Sequence, residues 1–336
     1  MAGLLGASLY LFWATSWGKK TSFSDFLQGP KNPTVRISYI DDPSSSLILL
    51  ARAKSFFSSR GLQVEFRPRP NALEAVRDVL TGQADYAQTS SGPFISAVAE
   101  GAPLEILTET HLSMRSAYFL TRSGEASPGL PDLRNTGKRV AVVEREPDDF
   151  MLNLYLLSQG LDLKSPQLVR AKFQEADRLF QSGAVDMLLL WQSYALDPRY
   201  TLLKGYRTEE VTGIPDFSFL VRRSGGGAPD LDDRLLEALY DAQNFLAEHR
   251  NEANQMIAIE MGVELQTEFV DWTQQLEPGL GLSNALIRML QEELRAKIAL
   301  KHGMKVEPAS FDQSRLRSLL SPSALLKVSP RAVTVL

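Results

Sequence analysis

Hydroxyl side chains gather at two points in the first third of the chain. Ser44, Ser45 and Ser46 follow Asp41, Asp42 and Pro43, and Thr89, Ser90 and Ser91 precede Gly92 and Pro93. A helically periodic apolar run follows each cluster, so both are expected at helix starts. Unpaired backbone N–H groups there, helped by the hydroxyls, can hold a sulfonate, nitrate or carboxylate group. Each cluster also has a plainer reading as helix caps, worth about 1 kcal/mol to the fold. Asp41 and Asp42 argue differently. As a solvated turn they do nothing, but facing a pocket they would repel an anion and favour an amine or a protonated ring nitrogen.

The composition narrows the chemistry. None of the 336 residues is a cysteine, which removes disulfides, thiolate metal sites and cysteine nucleophiles. His111, His249 and His302 are scattered, so no metal site is expected, and nothing points to a cofactor. His111 alone reads as a surface or turn histidine rather than a catalytic base. With 36 basic and 40 acidic residues, a net charge of −4 and no basic run, nucleic acid is not an expected partner. The glycines at 225, 226 and 227 lead into Ala228 and Pro229 without the Lys and Ser or Thr of a phosphate-cradling loop.

The elements that must position these residues alternate. Val35 to Ile40 reads as a strand, and Leu49, Leu50, Ala53, Phe56 and Phe57 mark a helix that stops at Gly61. Leu62 to Phe66 is the next strand, followed by a helix through Ala72, Val76 and Leu80 to Gly82, then a strand from Ala84 to Ala87. The same grammar repeats in Gly137 to Val143, a helix ending at Gly160, Gln167 to Ala171, a helix ending at Gly183, and Val185 to Trp191. The words Gly61-Leu62 and Gly82 to Asp85 recur at Gly160-Leu161 and Gly183 to Asp186, an offset of about 100 residues, which predicts two similar α/β units. Asp85 and Asp186 read as structural residues closing the turn after the glycine. A strand from Asp216 to Val221 and a mostly helical last third complete the pattern.

Open parallel sheets bind ligands beyond the carboxyl ends of their strands. That rule selects Asp41, Asp42, Ser44, Ser45, Ser46, Thr89, Ser90, Ser91, Thr110 and His111 from the first unit. From the second it selects Glu144 to Glu146 and Trp191, Gln192 and Ser193. Trp191 ends an apolar run and is read as a pocket wall, with a core tryptophan as the plainer alternative. Hinges are expected near Ser113 to Ser116 and Gly213 to Asp216.

The ordered set of words Gly61 to Glu65, Ala72 to Asp85, Thr89 to Pro93, Gly101 to Leu104, Gly137 to Val142, Gln159 to Asp162 and Ser182 to Asp186 with Trp191 resembles one group of bacterial solute-binding proteins. These serve ABC importers of sulfonates, taurine, nitrate and thiamine-precursor pyrimidines. The resemblance covers roughly 35–221. It implies a two-lobed type II periplasmic-binding-protein fold, α/β, each lobe a mostly parallel sheet flanked by helices, with a helical C-terminal extension. Where many relatives carry Trp-Glu-Pro, this chain has Trp191, Gln192 and Ser193, so their carboxylate has no counterpart. The expected division is a signal or anchor segment and tether (1–32), lobe I (33–114), lobe II (115–215), a return to lobe I (216–305) and a tail (306–336). The implied partners are a small-molecule ligand and the membrane permease of an ABC importer, and a monomer is expected. The alternatives are a membrane-tethered ligand-sensing domain and an enzyme of thiamine-pyrimidine biosynthesis on the same fold. That enzyme depends on a cysteine-rich motif absent here.

The location follows from Ala2 to Trp17, apolar and uncharged, with Lys19 and Lys20 after them. As a helix this stretch would span about 24 Å, short of the roughly 30 Å hydrocarbon core. It fits an export signal, with small residues at Ala14 and Ser16, although basic residues before it are missing. An uncleaved anchor is the alternative. Either way a periplasmic or other extracytoplasmic location is expected.

Overall fold

The chain is represented by a computed structural model that describes residues 33–113, 117–122, 137–143, 168–191, 206–211, 216–226, 228–263, 277–300 and 313–335, with 152, 156, 160, 270 and 273. Strand β1 (Thr34–Ile40) buries Val35, Ile37 and Tyr39, the alternation of a strand with one face in a core. The predicted single helix to Gly61 is two: α1 (Ser46–Ala53) and α2 (Phe56–Ser59). Ser55 between them has φ 59°, a left-handed conformation that a continuous helix cannot contain. Then follow β2 (Gln63–Arg69), α3 (Ala72–Leu80), β3 (Tyr86–Ser90), α4 (Ser91–Ala99) and β4 (Leu104–Ser113). The chain continues through β5 (Ala117–Arg122), β6 (Val140–Val143), β7 (Leu168–Ala171), α5 (Phe173–Gln181), β8 (Met187–Trp191) and β9 (Tyr206–Val211). It ends with β10 (Asp216–Arg223), α6 (Pro229–Glu248), α7 (Arg250–Met261), β11 (Glu277–Gly281), α8 (Asn284–Leu300), α9 (Gln313–Arg317) and α10 (Ser323–Val328).

The strands form two sheets, ordered β11-β4-β10-β3-β1-β2 and β7-β6-β8-β5-β9, within one compact unit, Thr34–Leu336. In the first sheet β1 pairs in parallel with β2 and β3, and β10 pairs antiparallel with β3 and β4. Strand β4 therefore runs with β1, β2 and β3. In the second, β6 pairs in parallel with β7 and β8, and β5 is antiparallel to β8 and β9. Each sheet thus has most strands in one direction and an antiparallel strand, β10 or β5, in its interior.

The repeat seen in sequence is a repeat of hydrogen bonds. Asp85 accepts from the backbone N–H of Arg36 at 2.8 Å, and the Arg36 guanidinium donates to the Gly82 carbonyl at 2.8 Å. In the second sheet Asp186 accepts from the Arg139 N–H at 2.7 Å, and Arg139 donates to the Gly183 carbonyl at 3.2 Å. Gly82 and Gly183 have φ of 73° and 77°, the left-handed turn that glycine adopts without steric cost. Each aspartate ties the turn after a helix to the start of the neighbouring strand, the structural role expected of both.

Beyond the second sheet, α6 lays Leu235, Leu236, Leu239, Ala242 and Leu246 into the core under the first. The chain's last described segment belongs to that core as well. Leu316 and Leu325 are buried, and backbone bonds join Ile106 to Leu319 and Ser321, and Leu282 to Ala332 and Thr334.

Candidate functional site

Strand direction places the carboxyl ends of β1, β3 and β4 and the amino end of β10 on one edge of the first sheet. Ser218 of β10 stands in register with Ser90 of β3 on one side and His111 of β4 on the other. Residues directly opposed in antiparallel strands share a face, so Ser90, Ser218 and His111 form a row across three strands. All are buried, at 3%, 1% and 1% exposure. The register then slips: Ser218 faces His111 but Phe219 faces Glu109, so Thr110 is the extra residue of a β-bulge. Bulges re-aim side chains and recur beside binding sites.

The serine turn lies over this row. Pro43–Ser45 is a single 3-10 turn capped by Asp42, whose carboxylate accepts from the Ser44 N–H at 2.8 Å. Gln88, two residues before Ser90 and so on the same strand face, holds the turn down. Its Nε2 donates to the Ser44 carbonyl at 2.9 Å, and its Oε1 accepts from the Ser45 hydroxyl. The Ser45 hydroxyl also donates to the Ile40 carbonyl at 2.6 Å. Gln88 was not among the residues expected from sequence; the signal was a polar residue inside a strand, which burial obliges to find hydrogen bonds.

The three amides that lead into α1 are already used. Ser44 N–H serves Asp42, Ser45 N–H the Asp42 carbonyl at 3.0 Å, and Ser46 N–H the Pro43 carbonyl. The 3-10 turn consumes the donors that a directly begun helix would leave open. Neither N-cap serine acts as a side-chain cap: Ser45 is spent on Ile40 and Gln88, and Ser90, N-cap of α4, makes no capping bond. Thr89 donates to the Ser90 carbonyl at 3.2 Å, and Ser91 is buried as the first residue of α4.

What remains is a group of buried polar atoms without a hydrogen-bond partner in the protein: the hydroxyls of Ser46, Ser90, Thr110 and Ser218, and both ring nitrogens of His111. Burial drives the His111 imidazole down to about 4, so it is neutral at pH 7, with the Ser44 backbone acting in the opposite direction. The Asp216 carboxylate is 4.0 Å from Nε2, beyond hydrogen-bond reach. Each unpaired buried group costs about 1–3 kcal/mol, a cost that a polar occupant would return.

On the second sheet, Ala117 stands opposite both Trp191 and Val211. With Cα atoms about 3.8 Å apart, Ser113 and Ala117 lie within about 15 Å, and Val211 and Asp216 within about 19 Å. Backbone position thus places Trp191, at the carboxyl end of β8, beside both crossings between the sheets. Glu144 to Glu146, Gln192, Ser193, segment 1–32 and most of both expected hinges lie outside the described residues. Among the described residues no cluster could hold a metal ion, and no helix is long and apolar enough to cross a membrane.

Known proteins resemble this chain in sequence or in fold. A Haemophilus influenzae protein named for thiamine biosynthesis is 25% identical over 241 residues, covering 70% of this chain and 75% of the relative. The alkanesulfonate-binding protein SsuA from Xanthomonas axonopodis pv. citri, solved with MOPS, matches with a TM-score of 0.65 at 19% identity, over 88% of this chain and 99% of that one. The periplasmic nitrate-binding protein NrtA from Synechocystis PCC 6803 matches with a TM-score of 0.63 at 14% identity, over 88% of each chain. The fold is therefore that of the periplasmic binding proteins. The NMT1/THI5 like family matches residues 42–212, just over half the chain, and the protein belongs to that family.

Proposed function

We propose that this protein captures a small polar molecule between two lobes outside the cytoplasm and delivers it to an ABC importer. The observation that carries the reading is the set of unpartnered buried groups on Ser46, Ser90, Thr110, His111 and Ser218 at the sheet edge where the chain crosses to the second sheet. The names of the sulfonate- and nitrate-binding structures support it. In this reading 33–114 and 216–305 build one lobe and 115–215 the other, and Trp191 supplies a wall from the second lobe. Micromolar capture corresponds to about −8 kcal/mol, within reach of a few hydrogen bonds and an aromatic wall in a closed pocket. No bond need be made or broken.

The test is a thermal-shift screen of small polar solutes, followed by solution scattering and recovery of the bound compound. A true ligand at a hundred times its dissociation constant adds about 2.7 kcal/mol of stability. It should also shrink the radius of gyration and return chemically unchanged. Trp191→Ala should abolish the shift and leave the unliganded melting temperature nearly unchanged. A compound recovered as a different molecule would replace capture with catalysis.

A further inference from the structure

The bulge at Thr110 decides which groups of β4 reach the site, and backbone pairing alone does not fix it. Ser218 and Phe219 are consecutive in β10 and point to opposite faces, yet they pair with His111 and Glu109. Were Glu109 the extra residue instead, Thr110 would pair with Phe219 and follow it to the face away from Ser218. On that face Phe219 is fully buried and packs on Phe94, with ring centres 5.2 Å apart. The Thr110 hydroxyl, buried and without a partner in the protein, would then leave the site.

The ladder grips this stretch poorly on both sides. Leu220 pairs with Thr108 but Val221 with Ile106, so Leu107 is a second extra residue, and Thr108 and Glu109 stand between two bulges. Toward β11 the pairing slips as well: Pro278 stands opposite His111 and Gly281 opposite Glu109, three steps of β11 against two of β4.

Side chains take over there. The Thr108 hydroxyl accepts from the Gly281 N–H at 3.0 Å and donates to the Glu109 carbonyl at 2.8 Å. The Glu109 carboxylate accepts from the Ser283 N–H at 2.8 Å and from the Ser283 hydroxyl at 2.7 Å. That hydroxyl in turn accepts from the Leu286 N–H at 3.1 Å, in the first turn of α8. Hydrogen bonds to a carboxylate are stronger than neutral ones, so Glu109 is firmly fastened to the start of α8. Gly281 leaves the room this approach needs, since a Cβ there would lie 3.2 Å from the other carboxylate oxygen.

Resting on the capture reading, we infer that Glu109 and Thr108 are positioning residues: their bonds to Ser283 and Gly281 hold the bulge at Thr110 and so aim the Thr110 hydroxyl into the site. Each acts through Thr110 and needs no contact with the ligand.

Full-length protein with threonine labelled at the methyl carbon reports the bulge by NMR, and the Thr110 signal is identified by its disappearance in Thr110→Ser. In Glu109→Ala that signal should lose its wild-type position. Glu109→Gln, whose amide oxygen can accept both Ser283 donors, should restore it. Thr108→Val keeps the side-chain shape and removes the hydroxyl; it should displace the same signal, and it decides the matter if Glu109→Ala fails to fold. A wild-type Thr110 signal in either variant, with only the melting temperature lowered, overturns the positioning role, and so does a displaced signal in Glu109→Gln. No solute enters these measurements, so that result leaves capture standing. A solute screen without a hit removes capture and leaves the bulge lock in place.

Discussion

The imidazole of His111 should make this protein acid-labile in a way that one substitution removes. An unfolded histidine titrates near 6.5, whereas the buried ring titrates at about 4. Between those values the unfolded chain binds a proton that the folded chain does not, so stability rises with pH across the window. The contribution is complete above the unfolded value and is lost as pH falls toward 4. At pH 5 the drop spans about 1.5 pH units at about 1.36 kcal/mol each, or about 2 kcal/mol. At about 2–4 °C per kcal/mol for a unit of this size, that is a fall of about 4–8 °C. Paired calorimetric scans of wild-type protein and His111→Gln at pH 7.5 and pH 5 isolate the effect, because carboxylates such as Asp78 and Asp85, held below their usual range by arginine partners, titrate alike in both. The variant should lose less than the wild type by about that amount. Equal losses in the two proteins would refute the argument that His111 is buried and neutral.

Two more outcomes follow from the packing. Gln88→Leu orphans the Ser44 carbonyl and loosens the Ser45 hydroxyl, so it should cost about 2–4 kcal/mol and weaken ligand binding too; thermal melting within a degree of wild type would contradict this. Leu325→Ala in α10 should cost about 2–5 kcal/mol, seen by urea unfolding, because Leu325 is fully buried in the main core. A change below about 0.5 kcal/mol, the level of an ordinary surface substitution, would show that the last segment is not part of that core.

Much of the scaffold was legible because local and tertiary preferences agree. Alternation in Val35 to Ile40 and the glycine-aspartate words of both halves report backbone geometry that neighbouring residues enforce. Strands β5, β9 and β11 were not foreseen. β11, Glu277 to Gly281, is short and carries Pro278 and two glycines; its extended form is set by pairing with β4, a partner far away in sequence. β9 carries Arg207, Glu209 and Glu210 and likewise takes its conformation from β5. The serine turns and His111 stood out by residue type. Ser218 and Gln88 did not, since each matters only through the strand placed beside it, and the bulge at Thr110 exists only in the register of β4 with β10.

The final residues have a consequence for how the molecule is born. Sheet two draws on one uninterrupted stretch, Ala117 to Val211, whereas Ile106 of the first sheet meets Leu319 and Ser321 only at the very end of the chain. At 5–20 residues per second, ribosomes need roughly 10–45 s to supply those partners. During that interval the part of β4 around Ile106, beyond its pairing with β11, keeps a bare edge, and the nascent polypeptide stays open to any chaperone that recognises unpaired strands.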